Sequence, residues 1–473
     1  MRVAILSSEA VPFAKTGGLA DVAGALPKAL LEHGADASLV IPLYEQIDRK
    51  HLRELIIDNL EVEWQGKTRA RVWHSEAAGA PVFLIEAPKY FQRNSIYGFR
   101  DDHERFAFFC RAALALFKRL GAPPDIVHLN DWHSGFAAVE LRTRRFVDSY
   151  YARTRTLFSI HNLAYQGMFD PKELDWMGFG AQERREPFMA DGAANAMKAG
   201  LLASDALSTV SRRYALEIQT PEHGHGLEWI LRARSDRLIG ITNGVDYDVW
   251  NPATDKHLAA HYSADDLSGK RLCKLDLLRR FGLPENLERP IIATVSRLTS
   301  QKGYDLIKEA AGAILETGAF FIALGSGAKE YEDFLQAMRV AAPRQVGVFI
   351  GFNDPLAHQI EAGADIFLMP SLYEPCGLNQ MYSLRYGTVP VVRATGGLDD
   401  TVQDFDRMTG NGNGFKFERY AAGPMMEKIL ESLYNYADAE TWRKIQMNGM
   451  RVDNSWRAAA GNYMNVYRAV MNM

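Results

Sequence analysis

The sequence predicts an α/β protein made of two doubly wound parallel-sheet domains facing across a deep cleft. Three observations carry the prediction. The chain has 473 residues, too many for one core of ordinary size, so two or three domains follow. Short apolar runs alternate with helical stretches along most of its length, the pattern of a parallel sheet covered by helices on both faces. Thr16-Gly17-Gly18-Leu19 recurs as Thr395-Gly396-Gly397-Leu398, each opening a helix, an echo that fits two similar sheets.

In chain order, Val3–Leu6 reads as the first strand and Asp21–Glu32 as the first helix. Further strands are Ala37–Ile41, Val82–Ile85, Ile126–Leu129, Thr156–Ile160 and Leu207–Val210, with helices such as Arg105–Leu120 and Ser134–Phe146 among them. After Leu238–Ile241 comes the turn signal Thr242-Asn243-Gly244-Val245-Asp246 and then the polar stretch Tyr247–Lys270. The change of domain is expected here, giving an N-terminal domain over 1–242 and a second over 243–455. The second series runs Ile291–Val295 (strand), Tyr304–Leu315 (helix), Phe320–Leu324 (strand), Lys329–Val340 (helix), then strands Val346–Ile350, Ile366–Met369 and Val389–Val392. Short apolar runs between helices read as buried parallel strands. The final helix, within 456–473, lies far from the last strand and is expected to pack across the domain boundary.

Composition removes several classes of function. Hydrophobic content of 47% and charged content of 24% are ordinary for a globular enzyme. A net charge of −4 gives no electrostatic reason to bind nucleic acid or an anionic membrane. Cys110, Cys273 and Cys376 are too scattered for a disulfide framework or a C-x-x-C metal site. No apolar run is long enough to span a bilayer, and the chain enters a strand at once, so a cytoplasmic protein is expected.

Open parallel sheets bind ligands at the carboxyl ends of their strands, which directs attention to the loops there. Lys15-Thr16-Gly17-Gly18 joins the first strand to the first helix. Its glycines let backbone approach a ligand and its lysine adds charge, so it suits an anion such as a phosphate; the plainer reading is a tight turn with a solvated lysine. Asn130-Asp131-Trp132-His133 and Ser159-Ile160-His161-Asn162 follow strands on the same rim. His161 would stabilise charge near a sugar carbon or donate to a hydroxyl, or be structural. Past Val295, Arg297 and Lys302 form a cationic pair able to hold a diphosphate and neutralise it as it departs, or simply lie solvated on a loop. Gly325-Ser326-Gly327 is a further close-approach loop, short of G-x-G-x-x-G. Glu374-Pro375-Cys376-Gly377-Leu378 places a carboxylate and then a helix start after a strand. Glu374 is suited to accept hydrogen bonds from sugar hydroxyls, and Cys376 to a packing and backbone-donor role rather than that of a reactive thiol. Asp246-Tyr247-Asp248 and His223-Gly224-His225 carry little weight as metal ligands.

Assembled, these residues resemble the bacterial glycogen synthase and plant starch synthase family, retaining glucosyltransferases with two Rossmann-like domains of the GT-B type. The matching pieces are Lys15–Val22, Asp131-Trp132-His133, His161-Asn162 with Tyr165-Gln166-Gly167, Asn243-Gly244, Ser296–Leu298 through Lys302-Gly303, Glu374–Leu378 and Thr395–Leu398. They occur in family order and span the chain. The resemblance implies that Lys15, Gly17 and Gly18 contact the sugar nucleotide. Arg297 and Lys302 would bind its diphosphate, and Glu374, helped by the backbone of Cys376, Gly377 and Leu378, would hold the donor glucose. Asp131, His161, Asn162 and Asn243 would surround the transferring glucose, and Phe352 would stack on the adenine. Phe352 stands where tyrosine is common, and Asn379 where threonine is usual.

What the resemblance implies for function is transfer of α-glucose from ADP-glucose to the non-reducing 4-hydroxyl of an α-1,4-glucan such as glycogen. Catalytic weight would fall on Lys15, His161, Arg297, Lys302 and Glu374. No metal and no pyridoxal phosphate is expected, and no nucleic acid or membrane partner; the oligomeric state stays open. Retention is compatible with a covalent intermediate on Glu374 or with same-face attack assisted by the leaving phosphate, which the resemblance favours. The rival readings are the same fold with another donor or acceptor (UDP-glucose, or synthesis of maltose 1-phosphate), glucan phosphorylase, and a non-catalytic glucan-binding scaffold.

Overall fold

A computed structural model describes residues 1–473. The chain divides into two compact units, Met1–Gly244 together with Trp456–Met473, and Val245–Ser455.

The first unit is organised on strands β1 (Arg2–Leu6), β2 (Asp36–Pro42), β3 (Glu54–Glu63), β4 (Lys67–Ser75), β5 (Val82–Glu86), β6 (Ile126–Asn130) and β7 (Arg155–Ile160). A small separate sheet follows, β8 (Met168–Phe169), β9 (Met189–Ala190) and β10 (Ala193–Asn195), and then β11 (Ala206–Thr209) and β12 (Leu238–Gly240). The main sheet has nine strands in the order β12-β11-β7-β6-β1-β2-β5-β4-β3. From β12 to β5 every pairing is parallel, and β1, β6 and β7 are almost wholly buried, as a sheet covered on both faces requires.

The parallel reading is corrected at one edge. β3 and β4 form an antiparallel hairpin, and β4 pairs antiparallel with β5. The hairpin turns through Gln65 and Gly66, both at positive φ (49° and 94°), the backbone that two-residue hairpin loops favour. Its strands have one buried and one solvent face, so they lack the continuous apolar run that marks the other strands.

The second unit carries β13 (Ile291–Val295), β14 (Phe320–Gly325), β15 (Val346–Ile350), β16 (Ile366–Met369), β17 (Val389–Arg393) and β18 (Phe415–Phe417). They form an all-parallel sheet in the order β15-β14-β13-β16-β17-β18. Side chains alternate between two cores. Phe321 and Ala323 of β14 face one, with Ile366 and Leu368 of β16, while Phe320, Ile322 and Leu324 face the other, with Phe367. That two-sided burial is what a period of two produces when helices cover both faces. The helix expected over Tyr304–Leu315 is broken into Tyr304–Glu309 and Ala311–Glu316, with Ala310 at φ −89°, ψ 2°. Gly312, a poor helix former, comes two residues later.

The C-terminal helix Trp456–Met471 packs within the first unit against the helix Gly18–Glu32. Its Tyr467 hydroxyl lies 2.8 Å from Nδ1 of His128, fully buried on β6.

Candidate functional site

Strand order explains which loops meet. In the first unit β7, β6 and β1 are adjacent and parallel, so the segments after Ile160, Asn130 and Leu6 emerge on one rim. In the second unit β15, β14, β13, β16 and β17 are consecutive, which collects Phe352, Gly325–Gly327, Arg297, Glu374 and Thr395 at their carboxyl ends.

On the first rim, the helix starts at Gly18, three residues earlier than the sequence suggested. Lys15 is half exposed, and its Nζ lies 2.7 Å from Oδ1 of Asp21 on the first turn of that helix. Beneath the loop sits Glu9, buried at 3% exposure. Its carboxylate accepts from the backbone N–H of Thr16, from the Thr16 hydroxyl at 2.8 Å and from the Gly17 backbone. Burial raises its pKa, with those bonds opposing the rise. The sequence reading missed Glu9; its one signal is an acidic residue just past a buried strand. A Cβ on Gly18 would meet nothing within 4 Å, and one on Gly17 only Oε1 of Glu9 at 3.8 Å. Neither glycine sits at positive φ. Nothing in the protein itself requires them, which leaves open space for a ligand against the helix N-terminus.

The structure joins Asp131 to His161 and Asn162. Asp131 Oδ1 accepts the His161 backbone N–H at 2.7 Å and also bonds the Asn162 backbone. Burial pushes the Asp131 carboxyl up to about 7, against those hydrogen bonds. Its backbone, φ 54° and ψ −178°, lies in a region that is essentially reserved for glycine. Trp132 packs under Gly167, where φ is +61° and a Cβ would come within 2.2 Å of the indole. Asp131-Trp132-His133 and Tyr165-Gln166-Gly167 are therefore one structural unit.

Burial lowers the pKa of His161 to about 4, so the ring is neutral at physiological pH. Nε2 lies 2.8 Å from Oδ1 of Asn130, whose Nδ2 donates to the Leu6 carbonyl. Asn130 therefore presents an acceptor, Nε2 carries the proton, and Nδ1 is left as an acceptor. Asn162 Oδ1 caps its own turn by accepting from Ala164 N. Asn243 is buried at 7% exposure, and its Oδ1 has no hydrogen-bond partner.

In the second unit, Lys302 Nζ forms an ion pair with Oε2 of Glu374, and the Ser371 hydroxyl donates to the same oxygen at 3.1 Å. The two residues are 72 positions apart and are brought together because β13 and β16 are neighbours. Glu374 is 6% exposed. Arg297 is exposed, with Nη2 at 3.2 Å from Gln301 Oε1. Gln301 in turn donates to the Tyr373 carbonyl, linking the cationic loop to the turn before Glu374.

Gly377, at φ +72°, and buried Cys376 lead to Leu378, which opens the helix Asn379–Tyr386. Gln380 Nε2 donates to the carbonyls of Cys376 and Gly377. Asn379 Nδ2 donates to Val295 O at 2.8 Å, tying the helix start to β13. A Cβ on Gly396 would fall 1.9 Å from the Glu374 carbonyl oxygen, and one on Gly397 2.0 Å from that of Cys376. Gly325 is likewise pressed against the Ser296 carbonyl, at 2.0 Å, so the close approach at that loop is to protein. Phe352 stands 88% exposed beyond β15. Asp246 Oδ1 accepts from Asp248 N in a turn, a local structural use of that acidic pair.

Chemically, the first rim offers a glycine-lined helix start, a carboxyl that titrates near neutrality and a neutral imidazole. The second offers two cations, a buried ion-paired carboxylate and an exposed aromatic ring. Comparison with known proteins adds to this. Residues 2–233 match the family described as starch synthase catalytic domain, and residues 278–448 match glycosyl transferases group 1. The chain is similar to the glycogen synthase of Koribacter versatilis, 44% identical over 480 residues that cover 99% of this chain and 98% of that one. It is similar to the glycogen synthase of Anaeromyxobacter sp. at 45% identity, covering 99% of each. Among solved structures it resembles the catalytic domain of starch synthase IV from Arabidopsis thaliana bound to ADP and acarbose. There the TM-score is 0.91 and the identity 33%, covering 100% of this chain and 99% of that one.

Proposed function

The chain belongs to the glycogen synthase and starch synthase family of glycosyltransferases, with the GT-B fold, and on that premise we propose the following reaction. The protein transfers α-glucose from ADP-glucose to the non-reducing 4-hydroxyl of an α-1,4-glucan, with retention, and so elongates glycogen. The observation that carries this reading is whole-length similarity to glycogen synthases combined with the presence of Lys15, Asp131, Arg297, Lys302 and Glu374 in the segments that carry the resemblance. The ADP in the plant neighbour supports the choice of nucleotide.

In the proposed reaction the bond between glucose C1 and the diphosphate breaks and ADP leaves with its electron pair. The acceptor 4-oxygen attacks C1 on the same face and yields its proton to the departing phosphate. The transition state resembles an oxocarbenium ion, as at other glycosidic centres. The protein's largest contribution is fixed positive charge on the leaving group, from Lys15, Arg297 and Lys302. This assigns charge neutralisation to side chains, without a metal or pyridoxal phosphate. Glu374, held by Lys302 and Ser371, is suited to accept hydrogen bonds from glucose hydroxyls. An ion-paired carboxylate is a weaker nucleophile, which favours same-face attack over a covalent intermediate. Phe352 stacks on the adenine, and the Asn243 and His161 acceptors receive sugar hydroxyls. No helix of the chain is long and apolar enough to cross a membrane, and the proposed setting is the cytoplasm.

The test is paired donor turnover. Glucose incorporation into glycogen should be far faster from ADP-glucose than from UDP-glucose; equal rates, or none from ADP-glucose, overturn the donor assignment. Glu374→Ala should lose about 10²–10³ in kcat, the scale of removing one charge-stabilising group. Near-normal turnover by a folded variant would overturn the site.

A further inference from the structure

The second unit also gathers His257, Asp354 and His358, none of them assigned to transfer, each able to present one ligand atom, with those atoms all within 4.8 Å of one another. From this cluster we infer a structural site for a divalent cation of zinc type. Asp354 and His358 are four residues apart on the helix Asp354–Gly363, so they share one face. His257 comes from the irregular stretch that precedes the helix Ser268–Arg280.

The independent observation is His358 itself. Its side chain is 1% exposed, yet its Nε2 is buried without any hydrogen-bond partner. It lies 3.9 Å from Oδ2 of Asp354, beyond hydrogen-bonding range. A buried polar atom left unmet is destabilising. The opposite ring nitrogen, Nδ1, is 2.7 Å from Oδ2 of Asp255. A carboxylate there accepts a hydrogen bond from Nδ1–H and leaves the lone pair on Nε2, the tautomer and orientation of a metal-binding histidine with its carboxylate behind it.

Asp255 also accepts from the His257 backbone N–H at 2.9 Å and from the Tyr386 hydroxyl. One buried carboxylate therefore places both histidines. Gln359 donates to the His257 carbonyl at 3.0 Å, and Trp250 stacks on the His358 ring at 3.7 Å. Two imidazoles and a carboxylate suit zinc and leave one position for water. In a tetrahedral site ligand atoms lie roughly 3.3–3.5 Å apart. Asp354 is 57% exposed and His257 partly so, so both have freedom to close on the ion. Its effect would be to clamp the irregular stretch around His257 to the start of the helix Asp354–Gly363. The sequence reading saw no metal site because the ligands are some hundred positions apart and include no cysteine.

The test uses the full-length protein stripped with a chelator and titrated with Zn2+, with Co2+ as a spectroscopic substitute. One ion should bind per chain, Co2+ should give four-coordinate visible bands, and Zn2+ should raise Tm. His257→Ala and Asp354→Asn, at positions that are not fully buried, should each weaken binding by at least about 100-fold and abolish both the bands and the Tm rise. Glucosyl transfer by the metal-free protein should be unchanged. Absence of stoichiometric uptake, or uptake that survives either substitution in a folded protein, overturns the site.

Discussion

At the scale of single residues, Asp131 is where strain and titration coincide. Its backbone conformation costs about 1–3 kcal/mol, and positions that keep such strain tend to be functional. Its carboxyl has a folded pKa of about 7, against an ordinary 3.8, with burial as the main cause. The folded state thus holds a proton that the unfolded chain releases. The stabilisation from that proton is complete below the unfolded pKa and is lost as pH rises through the folded one. Asp131→Asn keeps an acceptor for the His161 N–H and removes the titration. Its Tm relative to wild type should therefore rise between about pH 4 and pH 7 and level off above, an effect of roughly 3–5 kcal/mol in total. Calorimetry of both proteins across that range checks it, and a Tm difference that is flat with pH would contradict the assignment. This part of the site was half legible in the sequence. Asp131 and His161 stood out because each follows a buried strand, but the neutrality of His161 follows from burial, and Glu9 was not picked out at all.

At the scale of elements, the repeated Thr-Gly-Gly-Leu is one sequence serving two physical needs. Gly18 has open space where a Cβ would go, whereas Gly396 and Gly397 lie against the backbone carbonyls of Glu374 and Cys376. Gly18→Ala should leave Tm within about a degree, because nothing in the protein is displaced, and should weaken ADP-glucose use through KM. Gly397→Ala forces backbone apart and should cost about 1–3 kcal/mol or more, lowering Tm as well as turnover. Parallel thermal melts and donor titrations separate the two, and matching stability losses would remove the distinction. The parallel strands were legible because full burial leaves continuous apolar runs. β3 and β4 were not, because an edge hairpin with a wet face alternates polar with apolar and its Gln-Gly turn is a weak signal. Pairings such as Lys302 with Glu374 depend on β13 lying beside β16, which local sequence does not encode.

At the scale of the whole molecule, chain order and structural order part company in the last 18 residues, Trp456–Met473, which belong to the first unit although the second precedes them. The helix there buries Trp456, Tyr463, Met464, Tyr467 and Val470. Gly244, at the other crossing point, lies so close to Trp456 that a Cβ would come within 2.4 Å of its Cα. Tyr467 satisfies His128, whose burial lowers its pKa to about 3. Removing the helix would uncover this apolar face and leave the His128 ring nitrogen unmet, at about 1–3 kcal/mol for that atom alone. Each buried aromatic or aliphatic side chain adds roughly 1.5–3 kcal/mol. The total is comparable to the stability of an ordinary domain. Truncation after Ser455 should therefore unfold or deeply destabilise the first unit, while the second, which loses none of its own residues, keeps its core. Hydrogen exchange on the truncated protein should show protection lost across β1, β6 and the helix Gly18–Glu32 and retained in β13, β14 and β16. The milder Tyr467→Phe should lower Tm without this regional collapse. Uniform loss of protection across both units would mean that the helix supports the molecule as one body, and protection retained in both that it is dispensable.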